Sequence, residues 1–346
     1  MSETDESTDR PALPPRATTV LFGHAEAENA LLAAYRDRRL AHAWLIAGHP
    51  GGIGKATLAY RMARFVLAHP DPGAPQVRAA TSVHVDAEHP AARRIAAQAH
   101  GDLLLLERTI NEKTGKLRQE IQVDDVRRSI TFFGSTPAEG GWRVAIVDPV
   151  DDLNAAGANA LLKILEEPPQ RALLLLVSHS AGRVLPSIRS RCRVLSLRPL
   201  SAHDVLAAAA AATGLEREDP VLPAAAAVAE GSVQRALALL DRDALELRNR
   251  LLALLDRLPA LDLRALHGLG DRLYGTDPAP LAAFVDTVNG WLARRLETTA
   301  ERATLDRIAA VWEKLNQTAR DVETFNLERK PLVFNVFGWL AEATRA

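Results

Sequence analysis

A single cysteine, Cys192, in 346 residues excludes an internal disulfide, and no cluster of cysteine and histidine reaches the ligand count of a structural zinc site. A reducing cytoplasm is the compartment this usage suits. No stretch approaches about 18 uninterrupted apolar residues, so no membrane span is expected. The amino terminus, MSETDESTDRPALPP, lacks both the positive region and the apolar region of a secretory signal, and is expected to be a disordered tail over residues 1–18. A surplus of charge is missing too. The formal net charge of −1 gives no global pull on nucleic acid or membrane, so contact with DNA would have to come from a local basic patch or a larger assembly. What is there is a soluble composition, 47% hydrophobic and 25% charged, in a chain long enough for two or three domains.

From residue 20 onward, short β-rich runs alternate with helical ones, the pattern of a parallel sheet flanked by helices. Four strands stand out: AWLIA (43–47), DLLLLE (102–107), RVAIV (143–147) and ALLLLV (172–177). Between the first two, residues 68–101 are rich in Pro, Ala and polar side chains and read as a long surface loop, with a short helical stretch at 89–102. Near residue 198 the character changes to alanine- and leucine-rich helical spacing that continues to the end, broken by EREDP (216–220) and GTDPAP (275–280). The alanine run at 207–212, with Val205, Leu206 and Leu215 around it, predicts a packed helix.

The stretch LIAGHPGGIGKATLAYRMARFVL has the order of a phosphate-binding loop: strand, glycine-rich turn, lysine, amphipathic helix. Gly52 and Gly54 would let backbone N–H groups approach phosphates, Lys55 would reach the terminal ones, and a helix starting near Lys55 points its positive end at the anion. Pro50, Gly52, Ile53, Gly54, Lys55, Ala56 and Thr57 are the candidate contacts to ATP or ADP. Two positions depart from G-x-x-x-x-G-K-[ST]: His49 stands where the first glycine belongs, with Gly48 one place early, and Ala56 stands where a hydroxyl would ligate magnesium. Thr57 is about 100° further round the helix and is a poor substitute. The loop therefore reads either as a weakened nucleotide site or as a turn that only joins strand to helix.

RVAIVDPVDDLN delivers Asp148 to the carboxyl end of a strand, where phosphate-loop ATPases hold magnesium; the plainer reading is a turn-forming carboxylate with no metal. Pro149 follows, where ATPase families that put a glutamate there use it to polarise the attacking water, and proline has no group able to do so. Next, NAAGANALLKILEEPP places Ala158, Leu161, Leu162 and Leu165 at helical spacing, and Pro168-Pro169 end the helix.

NALLKILEEPP, followed by a strand and then LPSIRSRC, strongly resembles the clamp-loader branch of the AAA+ ATPases, densely over residues 20–200 and more loosely through EGSVQRALALL and ETFNLERKPLVF. The resemblance implies an α/β fold: an AAA+ P-loop domain with a parallel sheet (19–198), a small helical lid (199–242) and a helical collar (243–346) in which Phe334, Phe337 and Leu340 suit packing between subunits. It implies a ring of five that loads a sliding clamp onto primed DNA, with gamma/tau and delta subunits as partners and no membrane. It also implies that Arg191, in Ser190-Arg191-Cys192, is presented to a neighbour's γ-phosphate, while Arg189 and Arg193 are solvated or interface charges. Taken alone, Arg191 would read as a surface arginine paired with a carboxylate. The family's lid arginine falls on Gln234, with Arg235 one position later, and the family's four-cysteine zinc module is missing, so no metal is expected. The reading is a subunit without ATPase turnover of its own that completes its neighbour's site. The alternative, an active ATPase motor subunit, has Ala56, Pro149 and Gln234 against it. A P-loop protein unrelated to replication would leave the combination of NALLKILEEPP and SIRSRC unexplained.

Overall fold

The computed structural model describes residues 13–49, 51–111, 115, 117–139, 141–240, 242–275, 277–299 and 301–345; Pro50 and residues 1–12 of the expected tail lie outside the described residues. Two compact units result, one ending at Ala236 and one beginning at Leu237. In the first, the chain runs α1 (Ala25–Arg36), β1 (Ala43–Gly48), α2 (Lys55–Ala68), α3 (Pro75–Ala79), α4 (Pro90–Ala96), β2 (Leu103–Leu106), α5 (Val123–Gly134), β3 (Arg143–Val147), α6 (Ala155–Glu166), β4 (Ala172–Ser178), α7 (Pro186–Arg189), β5 (Arg193–Leu197), α8 (Ala202–Thr213) and α9 (Val221–Val228). Helix α10 (Val233–Ala238) begins in the first unit and runs into the second, where α11 (Arg242–Leu255), α12 (Leu263–Arg272), α13 (Pro278–Thr298), α14 (Arg302–Phe325) and α15 (Arg329–Thr344) follow.

The strands form one parallel sheet in the order β2-β3-β4-β1-β5. Parallel strands covered by helices on both faces read as unbroken apolar runs, and β4 is buried along its whole length. Their side chains still alternate between faces. Leu173, Leu175 and Val177 join Trp44, Ile46, Val144 and Ile146 in a core closed by Leu31, Tyr35, Leu58 and Phe65 of α1 and α2. Leu174 and Leu176 face the other way, into a core with Leu45, Ala145 and Val147 that α5 and α6 close with Val126, Phe133, Leu161 and Leu165. The expected helix at 155–166 starts at an Asn154 cap whose Oδ1 accepts from Gly157 N at 2.9 Å. The alanine run lies in α8, capped by Ser201 and ended by Gly214, with Ala207, Ala209 and Ala210 buried.

Three features differ from the sequence reading. A fifth strand, β5, lies at the sheet edge beyond β1, and only its last residue is buried, so it lacks the apolar run that marks the other four. The 68–101 segment contains α3 and α4 and sends Val77, Val83, Val85, Ala92 and Ile95 into the first core; apolar residues spaced singly among Pro and polar ones carry no period to detect. Residues 14–18, expected within the tail, form a turn held by Arg64. This arginine is 2% exposed, and its Nη2 donates to the carbonyls of Pro15, Arg16 and Thr18 at 3.2, 3.1 and 2.6 Å. Burial lowers its pKa to about 10, so it stays charged at neutral pH.

In the second unit the apolar faces of α11 to α15 meet in one core that includes Leu251, Leu255, Phe284, Val288, Leu292, Leu315 and Val336. Of the residues picked out in α15, Phe337 and Leu340 lie in that core, and Phe334, partly buried, packs its ring on His267 with centroids 4.7 Å apart. Among the described residues no strand follows β5, and no helix is long and apolar enough to cross a membrane.

The first two helices are joined by a buried ion pair. Arg61 of α2 donates through Nε to Glu28 Oε1 of α1 at 3.0 Å, donates again through Nη2, and gives Nη1 to the carbonyl of Thr19. Removing one partner leaves the other charge buried and unanswered. Glu28→Ala is therefore expected to lower unfolding free energy in urea by about 3 kcal/mol or more, with Glu28→Ala/Arg61→Met recovering much of it. Equal stability of Glu28→Ala and the parent would refute the assignment.

Candidate functional site

The glycine-rich turn begins where β1 ends at Gly48 and finishes at Gly54, which caps α2 at φ +96°, a conformation that disfavours side chains. Between them Ile53 is 1% exposed and anchored in the core, and its carbonyl accepts from His24 Nε2 at 2.6 Å. His24 is itself buried, and burial lowers its pKa. It therefore serves as a neutral donor that ties the segment before α1 to the loop. Sequence reading passed over it, because a lone histidine before a helix carries no pattern.

Lys55 is 4% exposed and donates through Nζ to two carbonyls of its own loop, Gly48 at 3.0 Å and His49. Burial pulls its pKa down to about 8, against Asp148 and Asp151, which favour the ammonium form. Ala56 and Thr57 follow, both half-buried. Asp148 follows the end of β3, with its N–H donating to Leu106 O at 2.9 Å. Burial, helped by Glu107, raises its pKa to about 6, with Lys55 opposing.

The carboxylate that organises this end of the sheet is Asp151. Its Oδ1 accepts from Ser178 Oγ at 3.1 Å and Ser180 N at 3.2 Å, and its Oδ2 from His179 N at 2.7 Å. It thereby fixes the turn after β4. Sequence reading missed it because three acidic residues within five positions, 148, 151 and 152, look alike in VDPVDD until the strand ends meet.

The start of α10 rests on the loop. Val233 N donates to Gly52 O at 3.0 Å, and a Cβ on Gly52 would lie 2.5 Å from Gln234 Cβ, so only glycine fits beneath that residue. Arg235 turns away and pairs through Nη1 with Glu230 Oε2. Lys55, Asp148, Gly52 and Gln234 are thus gathered at one end of the sheet. For a magnesium–nucleotide this donor set lacks one oxygen, since Ala56 offers none. Among the described residues no group of three or more His, Cys, Asp or Glu side chains could hold a metal ion.

Arg191 lies elsewhere. It follows α7, at the amino end of β5, and β5 runs parallel to β1 with Arg193 beside Trp44 and Leu197 beside Gly48. The strand from Arg193 to Leu197 alone covers about 13 Å. Arg191, two residues earlier, therefore sits at the opposite end of the sheet from the glycine turn. Its Nη2 lies 2.8 Å from Glu166 Oε1 and its Nη1 donates to Ser187 O at 2.9 Å, with Ser190 Oγ at 3.4 Å. The side chain keeps 37% of its surface exposed. The flanking arginines differ: Arg189 is exposed, whereas Arg193 stacks over the Trp44 ring at 4.9 Å from its centroid. Burial pushes the Cys192 thiol up to about 12, which leaves it an inert, half-buried apolar group.

The family described as "DNA polymerase III, delta subunit" matches residues 23–201. A DNA polymerase III subunit delta' of Pseudomonas aeruginosa is 40% identical over 152 residues, 44% of this chain and 42% of that one. The corresponding subunit of Escherichia coli K12 is 32% identical over 226 residues, 64% and 61% of the two chains. A DNA polymerase III subunit gamma/tau of Mycobacterium tuberculosis H37Rv is 28% identical over 282 residues, 79% of this chain and 46% of that one. The matched stretches thus span less than two thirds of these relatives' own length. A solved gamma subunit-related protein of Thermotoga maritima is 18% identical, with a TM-score of 0.44, covering 91% of this chain and 100% of that one. With more than half its length matched, the chain belongs to the DNA polymerase III delta subunit family.

Proposed function

We propose that the chain is the delta-prime type of subunit in a bacterial clamp loader, a cytoplasmic member that hydrolyses little or no ATP and supplies Arg191 to the ATP held by an adjoining gamma/tau subunit. The observation that carries this reading is the placement of Arg191. The parallel register of β1 and β5 sets it at the far end of the sheet from its own glycine turn, with a third of its side chain open to solvent. A guanidinium there serves a phosphate on another molecule. It would stabilise the negative charge that develops on the transferring phosphoryl group, and a group already fixed in position needs little reorganisation as the reaction proceeds.

The chain's own glycine turn supports the other half of the proposal. Ala56 removes a magnesium ligand, Pro149 removes the group that would polarise water, and Gln234, resting on Gly52, occupies the position of the family's lid arginine. Residues 199–242 would act as the lid and 243–346 as a collar joining this subunit to gamma/tau and delta. The sliding clamp and primed DNA are met through the assembled ring, since a net charge of −1 gives the lone chain no general affinity for a polyanion.

Arg191→Ala should leave the chain folded and able to assemble, yet lower the ATPase of the reconstituted loader by at least about tenfold at the adjoining site. Unchanged turnover would rule out the role in trans. Lys55→Ala, by contrast, should leave that turnover unaltered. If the isolated chain hydrolyses ATP with clamp and DNA present and loses this on Lys55→Ala, it is a motor subunit instead. In calorimetric titration, ATP or ADP should bind the purified chain equally with magnesium and with EDTA, because no hydroxyl stands at Ala56; tighter binding with magnesium would contradict the account of the loop.

A further inference from the structure

The role of Arg191 raises the question of what aims it. Exposed arginines are floppy, and a guanidinium that must be ordered afresh for each encounter loses much of its effect. Here the side chain is held from two directions. Glu166, the last residue of α6, sets Oε1 2.8 Å from Nη2 as an ion pair, and the carbonyl of Ser187 in α7 accepts from Nη1 at 2.9 Å. One terminal nitrogen is thus held by a hydrogen bond and the other by charge. Among the described residues only Nη1 is hydrogen-bonded, so the N–H groups on Nε and Nη2 remain for a phosphate.

Glu166 is also in an electrostatically poor place. Pro168 and Pro169 stop the helix immediately after it, and Glu167 occupies the C-cap, so two carboxylates crowd the end of α6 where unpaired carbonyls already give negative potential. Lys163 is the one basic residue in that last turn. A carboxylate set against the helix dipole, half-exposed and paired with the functional arginine, breaks a local rule without any gain for the helix itself.

We infer that Glu166 is a positioning residue: its carboxylate oxygen orients the Arg191 guanidinium so that Nε–H and Nη2–H point toward the neighbouring subunit's phosphate. This rests on the reading of Arg191 given above. The function of Glu166 is to hold the guanidinium by charge at a fixed reach, so neither an uncharged side chain of the same length nor a shorter acid should serve.

The test uses the reconstituted loader with clamp and primed DNA, comparing Glu166→Ala, Glu166→Gln, Glu166→Asp, Arg191→Ala and the double variant Glu166→Ala/Arg191→Ala. Glu166→Ala and Glu166→Asp should lower kcat about fivefold with KM for ATP unchanged, because the interaction matters in the transition state and not in holding the nucleotide. Glu166→Gln, which keeps the length and loses the charge, should fall as far as Glu166→Ala, and the double variant should equal Arg191→Ala. If Arg191→Ala has no effect, the role of the arginine itself fails. If Arg191→Ala slows the complex but Glu166→Ala leaves it unchanged or faster, or if Glu166→Gln matches the parent, the positioning role is overturned. Should Glu166→Ala assemble poorly, Glu166→Gln, of the same size as the parent side chain, carries the same decision.

Discussion

The pairing of β5 with β1, parallel and in fixed register, is the constraint on which the rest depends. Gly48, at the carboxyl end of β1, lies beside Leu197, and this leaves Ser190-Arg191-Cys192 beyond the opposite, amino end of β5. Neither strand can slip by one residue without turning its side chains to the wrong face. Trp44 and Ile46 point into one core and Leu45 and Ala47 into the other, so a slip would disorder both. The separation between glycine turn and arginine is thus secured by two hydrophobic cores and does not depend on the chemistry of either site.

At the loop end, burial sets the electrostatics. An ammonium group with its pKa drawn down to about 8 and a carboxyl with its pKa raised to about 6 each bear a cost of burial that their mutual attraction only partly offsets. Lys55 meets that cost by bonding to its own loop. The contact of Val233 and Gln234 with Gly52 makes the turn a seat for α10. A loop of this kind has a structural reason for Gly52 that is independent of nucleotide chemistry.

Much of the fold was legible because parallel strands between helices must be apolar on both faces; runs such as RVAIV and ALLLLV leave little else to build. The strand with one covered neighbour escaped notice, since Arg193, Val194 and Ser196 remain exposed at the sheet edge. Residues 68–101 were misread for the opposite reason: five apolar side chains spread among prolines and polar residues reach the core without any period. At the site, Gly52, Gly54 and Lys55 could be read because the spacing of a phosphate loop is local. His24, Asp151 and Glu166 could not, because each acts on a residue brought close by the fold: Ile53, the turn at 178–180, and Arg191.

Two sites at opposite ends of one sheet can be altered independently. Effects of changes at well-separated positions with no shared partners add. Ala56 and Pro149 therefore impose no penalty on Arg191, whose partners are Glu166, Ser187 and Ser190. What Arg191 does need is the α6–α7 frame, and that frame is held by core residues: Leu161, Ile164 and Leu165 of α6 and Ile188 of α7 lie in one cluster with Leu174 and Leu176 of β4. The two halves of the proposed function, no hydrolysis in this chain and an arginine for another chain's phosphate, are consequently compatible demands on a single domain, because the sheet that separates the two sites also supports both.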